Sequence, residues 1–184
     1  MNTNEQYGKF TSPAEVRIVR TLPGPIERVW EYLTIPEKRA RWFAGGVTEP
    51  KAGGKAGFVM LHKNLSPDEI PPAEFAQVQC KGVNFEGRVI RYDPPHVLSY
   101  TFGSDDSVVT FELTPQGKQV LLVLTHRAQG AEEQAELGKY GAGWHTHLSL
   151  LVAELEGSPR PLFWAPHLKL RPIYAKLLSD ALKA

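Results

Sequence analysis

The sequence predicts an α+β domain in which a curved antiparallel sheet wraps a long C-terminal helix, with two short helices after the first strand. Three observations predict it. Closely spaced, alternating apolar segments fill residues 55–127. A helical pair divided by one proline follows a first strand. A clear apolar stripe at helical spacing then runs through residues 144–156, and a stripe of that length must bury itself on the sheet.

The first strand is read at residues 14–20, where Val16, Ile18 and Arg20 alternate with Glu15, Arg17 and Val19. Residues 1–13 before it are polar and are expected to be flexible. Pro25 stands where a first helical residue belongs, and Ile26, Val29, Trp30 and Leu33 form one apolar stripe. Pro36 opens a second short helix over 36–43, ended by Gly45-Gly46. Strands are expected at 55–62, 84–92, 96–102, 107–114 and 120–127, separated by turn signals such as Asp93-Pro94-Pro95 and Pro115-Gln116-Gly117-Lys118. Residues 63–83 read as a long loop with one helical turn at 73–77, a length that suits a lid. In the long helix, Trp144, Leu148, Leu151, Val152 and Leu155 share a face, and Gly157 ends it. Residues 131–140 read as a separate first segment, broken off at Gly141 and Gly143. The domain is thus expected to span 14–157. The extension 158–184 is apolar although prolines interrupt it, so it is expected to pack on the domain or on a partner.

Composition narrows the function classes. Among 184 residues, 21 basic and 20 acidic side chains leave a net charge of +1, which offers no footprint for nucleic acid or an anionic membrane. No apolar run is long enough to span a membrane and no signal-type h-region is visible, so a soluble, cytoplasmic protein is expected. The single cysteine, Cys80, excludes an intrachain disulfide and any CxxC metal site, and reads as a small, partly buried residue beside a loop. No phosphate loop, GxSxG elbow or HExxH pair occurs, and no cofactor is expected. His145 and His147 flank Thr146, but two positions along a helix lie about 200° apart, so no metal site is expected there.

The order of motifs resembles a known family. Pro25-Ile26-Glu27-Arg28-Val29-Trp30, then Pro36-Glu37-Lys38-Arg39-Ala40-Arg41-Trp42-Phe43, are similar to the opening of domains related to the activator of the heat-shock protein 90 ATPase. Gly53-Gly54 before a strand, Leu98-Ser99-Tyr100-Thr101-Phe102, Leu124-Thr125-His126 and Gly143-Trp144 before Leu148 continue the resemblance over residues 14–157. It implies the helix-grip fold of the START/SRPBCC superfamily, shared with the birch-pollen allergen, and an apolar cavity between sheet and helix. That fold hosts lipid carriers, ligand sensors, cyclases and chaperone co-factors, so it does not by itself assign a function. The chaperone activator carries an additional N-terminal domain for which no room is expected here, which argues against chaperone binding.

By family position Trp42, Phe43 and Trp144 belong to the cavity or its mouth, although large aromatics also serve as plain core. Leu98, Tyr100 and Phe102 share a strand face, Phe111 stands on the next strand, and Leu124 and His126 share a third face. Leu148 and His145 approach from the long helix. If these faces turn inward, Tyr100 and His126 are polar groups on the cavity wall; otherwise they are hydrogen-bonded core residues. Glu86 and Arg88 read as a solvated strand face. Three functions follow as expectations. The first is binding of a small hydrophobic ligand (a lipid, polyketide or aromatic metabolite) as carrier or sensor. The second is a cyclase- or hydrolase-like enzyme using His126 and Tyr100. The third is a chaperone co-factor or other interaction module, including a homodimer, through the aromatic tail at Phe163-Trp164.

Overall fold

The computed structural model describes residues 3–183. After a short 3-10 turn at Thr3–Glu5 come β1 (Lys9–Ser12), β2 (Glu15–Pro23), α1 (Ile26–Thr34) and α2 (Pro36–Arg39). β3 (Lys55–Met60) leads into two 3-10 turns and α3 (Ala76–Cys80). Then follow β4 (Val83–Asp93), β5 (Val97–Phe102), β6 (Ser104–Gln116), β7 (Gln119–Ala128), α4 (Ala131–Glu156) and α5 (Trp164–Ala181). The seven strands form one sheet in the order β1-β2-β7-β6-β5-β4-β3, and every neighbouring pair is antiparallel. This is the helix-grip arrangement, with α4 lying over β2 and β7. Among the described residues no helix is long and apolar enough to cross a membrane.

Alternation decides what each strand buries. On β2, Val16, Ile18, Arg20 and Leu22 all face inward and are buried. Arg20 is held there by donating to the carbonyls of Val19 and Gln6. Opposite it, Leu122, Leu124 and His126 of β7 pair with Arg20, Ile18 and Val16. α1 buries Ile26, Val29, Trp30, Tyr32 and Leu33, the stripe expected from spacing plus one residue.

α2 is only four residues long because the chain turns at Arg39. The Arg39 guanidinium is buried and donates to the carbonyls of Ala44, Gly45, Gly46 and Gly57 and to Oγ1 of Thr48. Five acceptors around one side chain shape residues 44–48 into bridges against β3. Gly46 is required within them: its φ is +96°, and a Cβ would lie 2.5 Å from the Gly57 carbonyl oxygen.

Three expectations are corrected, for the N-terminal stretch, for α4 and for Cys80. The stretch expected to be flexible contains β1, which pairs with β2, and the Gly8 N–H donates to the Tyr174 hydroxyl at 2.7 Å. α4 is one continuous helix of 26 residues, not two segments split at Gly141 and Gly143. The glycines do not end it because a glycine in a helix interior costs only about 1 kcal/mol, which the burial of the rest of a 26-residue helix outweighs. The tail is also helical: Pro166 lies in the first turn of α5, where backbone N–H groups have no intrahelical partner to lose, and only Pro172 falls in the interior. Cys80, expected to be partly buried, is exposed.

α5 lies on α4 and reaches β1. Gly138 and Gly141 allow the close approach, since a Cβ at Gly141 would lie 2.5 Å from Cδ1 of Tyr174 and one at Gly138 would lie 3.4 Å from Cα of Ala175. The start of α5 also grips residues 61–80. The Phe75 ring stacks on Trp164 at 4.9 Å, the Trp164 indole N–H donates to Oε1 of Gln79 at 3.1 Å, and Arg171 pairs with Glu74.

Candidate functional site

A concavity of about 320 Å³ opens between the sheet and α4. The sheet contributes Met60 from β3, Phe85 from β4 and Phe102 from β5. Phe43 comes from the turn after α2, and Tyr140, Gly143, Trp144 and His147 come from α4. Exposed Gly103 and Lys139 stand at its mouth. The aromatic rings support one another: Phe43 lies 4.7 Å from Trp144 between centroids, Phe102 lies 5.6 Å from Trp144, and Phe85 lies 5.1 Å from Phe102. A larger groove of about 680 Å³ runs between α4 and α5, past Gly138, Leu168 and Pro172. Its aromatic content is nil and Lys139, Arg171 and Ser179 share its walls.

The polar groups near the smaller concavity are mostly committed. The Trp144 indole N–H donates to Nδ1 of His126 at 2.9 Å. An indole nitrogen only donates, so Nδ1 is the acceptor, and Nε2 carries the proton and donates to Oγ of Ser107 at 2.7 Å. Burial holds His126 neutral, with its pKa down to about 3. Tyr140 stacks on His126 at 4.5 Å and donates its hydroxyl to Glu133 at 3.3 Å. Burial and then the Glu133 charge push that hydroxyl up to about 12. His147 differs. Its Nδ1 lies 2.8 Å from the Trp42 carbonyl oxygen, which only accepts, so Nδ1 bears the hydrogen and Nε2 is a bare lone pair. Burial, and then the neighbouring His62, hold His147 well below the ordinary histidine range. The His62 ring stands 5.4 Å behind it, and Phe163 lies 4.9 Å away. His62 is itself pushed down to about 4, by burial first and His167 second.

Of the residues singled out from sequence, the structure brings Phe43, Phe102 and Trp144 to the concavity. Two expected wall groups are corrected. His126 is fully buried, with both ring nitrogens bonded. Tyr100 is 1% exposed between Phe58 and Phe111, and burial raises its hydroxyl pKa against the opposing Arg39. Trp42 is buried as well, donating its indole N–H to the Tyr32 carbonyl at 2.8 Å. Leu98, Phe111, Leu124 and Leu148 fill the core between sheet and helix rather than the concavity. His145 faces another way, with Nδ1 3.0 Å from the Tyr174 hydroxyl. Glu86 and Arg88 are exposed and pair with Lys55 and Asp105.

Sequence reasoning missed Met60, Phe85, Tyr140, Gly143 and His147. Phe85 shares a strand face with Val89, a signal that was present. Tyr140 and His147 sit four before and three after Trp144, and so on its face once α4 is continuous. The false break at Gly141 and Gly143 hid Tyr140. Among the described residues, no three His, Cys, Asp or Glu side chains gather as a metal-ligand set. The arrangement can enclose an apolar ring and offer it one hydrogen-bond acceptor.

Comparison with known proteins gives a consistent picture. The family described as Activator of Hsp90 ATPase homolog 1-like protein matches residues 23–156. The solution structure of a Bordetella parapertussis protein is 35% identical, covering 95% of this chain and 91% of that one at a TM-score of 0.77. CalU16 from Micromonospora echinospora is 20% identical, with 90% and 88% of the two chains covered and a TM-score of 0.61. A conserved protein of unknown function from Enterococcus faecalis is 18% identical, with 98% and 94% covered and a TM-score of 0.70. The last two share the fold. No curated protein matches the chain.

Proposed function

The chain belongs to the family of Activator of Hsp90 ATPase homolog 1-like proteins, and from that premise we propose that it binds a small hydrophobic ligand between the sheet and α4, as carrier or sensor. The observation that carries this reading is Gly143. A glycine inside a long helix costs about 1 kcal/mol relative to alanine. At Gly138 and Gly141 the close approach of α5 accounts for it. At Gly143 an added Cβ would meet nothing within 4 Å, and the residue lines the concavity. No packing explains that glycine; an open wall does. A volume of about 320 Å³ is at the small end for ligand sites, so a compact ring system such as an aromatic or polyketide metabolite suits it better than a long acyl chain. The commitment of both His126 nitrogens and the burial of Tyr100 speak for binding over proton-transfer catalysis by that pair.

The test is displacement of a fluorescent apolar probe, N-phenyl-naphthylamine, by naphthalene-sized ligands in the wild type and in Gly143→Leu. The variant is expected to keep its melting temperature and to lose probe binding at least tenfold. A well-folded Gly143→Leu protein that binds as before would remove the concavity as the site.

A further inference from the structure

We propose that the ligand of this concavity is a neutral ring system bearing a hydrogen-bond donor, a phenolic hydroxyl, that it offers to Nε2 of His147. The inference rests on the binding reading above and specifies its chemistry.

Four polar side chains line the concavity: Lys139, Tyr140, Trp144 and His147. Three are engaged elsewhere. Lys139 pairs with Glu136 at 2.8 Å on the surface, Tyr140 donates to Glu133, and the Trp144 indole donates to His126. His147 uses Nδ1 on the Trp42 carbonyl, and its Nε2 has no hydrogen-bond partner among the described residues. That backbone bond also fixes the tautomer: with the hydrogen on Nδ1, Nε2 can only accept. A ligand hydroxyl or N–H therefore finds a complementary partner. A carbonyl, an ether or a carboxylate meets the lone pair and gains nothing unless the imidazole takes up a proton. Burial and the neighbouring His62 and His167 oppose that uptake. Apolar walls make the single polar contact decisive for orientation, because a mismatched polar group there is left unpaired. The rival is an anionic ligand with its charge at the mouth, on Lys139.

The experiment measures dissociation constants for naphthalene, β-naphthol, β-methoxynaphthalene and β-naphthoate by probe displacement. The naphthol is expected to bind roughly five- to tenfold tighter than its methyl ether, the range of one neutral hydrogen bond. His147→Phe should abolish that difference while still binding naphthalene. Because His147 is buried and that variant can misfold, nitrogen-15 spectra of the wild-type imidazoles provide a second readout. The His147 Nε2 resonance should shift on adding naphthol and stay in place with the methyl ether. Equal affinities for naphthol and methyl ether, with naphthalene bound, would overturn the donor inference and leave the binding site standing. Failure of every compound to bind would overturn the site and the inference together. Tightest binding by naphthoate, lost in Lys139→Met, would replace the donor with an anion at the mouth.

Discussion

The carboxylate of Glu69 accepts the backbone N–H of Phe163 at 2.6 Å, across 94 residues of sequence, and that of Trp164 at 3.1 Å. α5 has no capping side chain of its own, so a distant glutamate supplies both the acceptor and the negative charge that a helix start favours. Glu69→Ala is expected to cost about 1–2 kcal/mol, as loss of a helix cap does, and to quicken proteolysis within residues 61–80. Glu69→Gln should recover part of the loss, since an amide oxygen still accepts. Urea midpoints identical in wild type and Glu69→Ala would count against this capping role.

Two glycines two residues apart should respond in opposite directions to the same change. Gly143→Ala removes the backbone cost of glycine and meets nothing within 4 Å, so it should stabilise the fold by about 0.5–1 kcal/mol. Gly141→Ala would drive a methyl group to 2.5 Å from the Tyr174 ring and should lower stability. Thermal melts of the two variants decide it; a shift of the same sign in both would refute the assignment.

The Tyr174 hydroxyl accepts from the Gly8 N–H at 2.7 Å and lies 3.0 Å from Nδ1 of His145. Tyr174→Phe leaves a buried backbone donor without its partner, a loss of about 1–3 kcal/mol. Hydrogen exchange should show the defect locally, with Gly8 and the β1 amides exchanging faster. Unchanged protection of β1 would contradict it.

Acid should unfold this protein through its histidines. Burial lowers the pKa of His62, His126, His145, His147 and His167 below the ordinary 6.5. Above 6.5 both folded and unfolded chains hold them neutral, so they add no pH dependence. Below it the unfolded chain takes up protons that the folded one refuses, and stability falls. The loss continues down to about 4 for His62 and His145 and about 3 for His126. Each histidine in its window lowers the folding constant by up to about tenfold per pH unit. Urea titrations at about pH 7 and about pH 5 should give a clearly lower midpoint at the acidic value. Equal midpoints would mean that these imidazoles are solvated.

The strands of the central meander were legible because one face of each meets the core. Val109, Phe111 and Leu113 announce β6 by alternation alone, and the sheet pairs them as expected. The stripe from Trp144 onward announced α4 for the same reason. What could not be read depends on what stands opposite. Gly141 is explained by Tyr174 and Gly143 by an open space, and neither is near in sequence. The two histidines make the same point. His126 finds Ser107 from 19 residues away, and His147 finds the Trp42 carbonyl from 105. Alternation puts His126 on a face with Leu124 and says nothing of His147; only the fold tells which of the two keeps a lone pair.

Order along the chain has a consequence in time. Every side chain at the concavity lies at or before His147, whereas Arg160, Phe163, Trp164 and Arg171 secure the segment around Asn64, Glu69, Glu74 and Gln79. A polypeptide made from its N-terminus therefore presents the residues of these walls before those that secure the neighbouring segment. Until they emerge, Phe75 and His62 have no aromatic partner in Phe163 or Trp164. The walls of the concavity and the anchors of the neighbouring segment thus come from different stretches of the nascent chain.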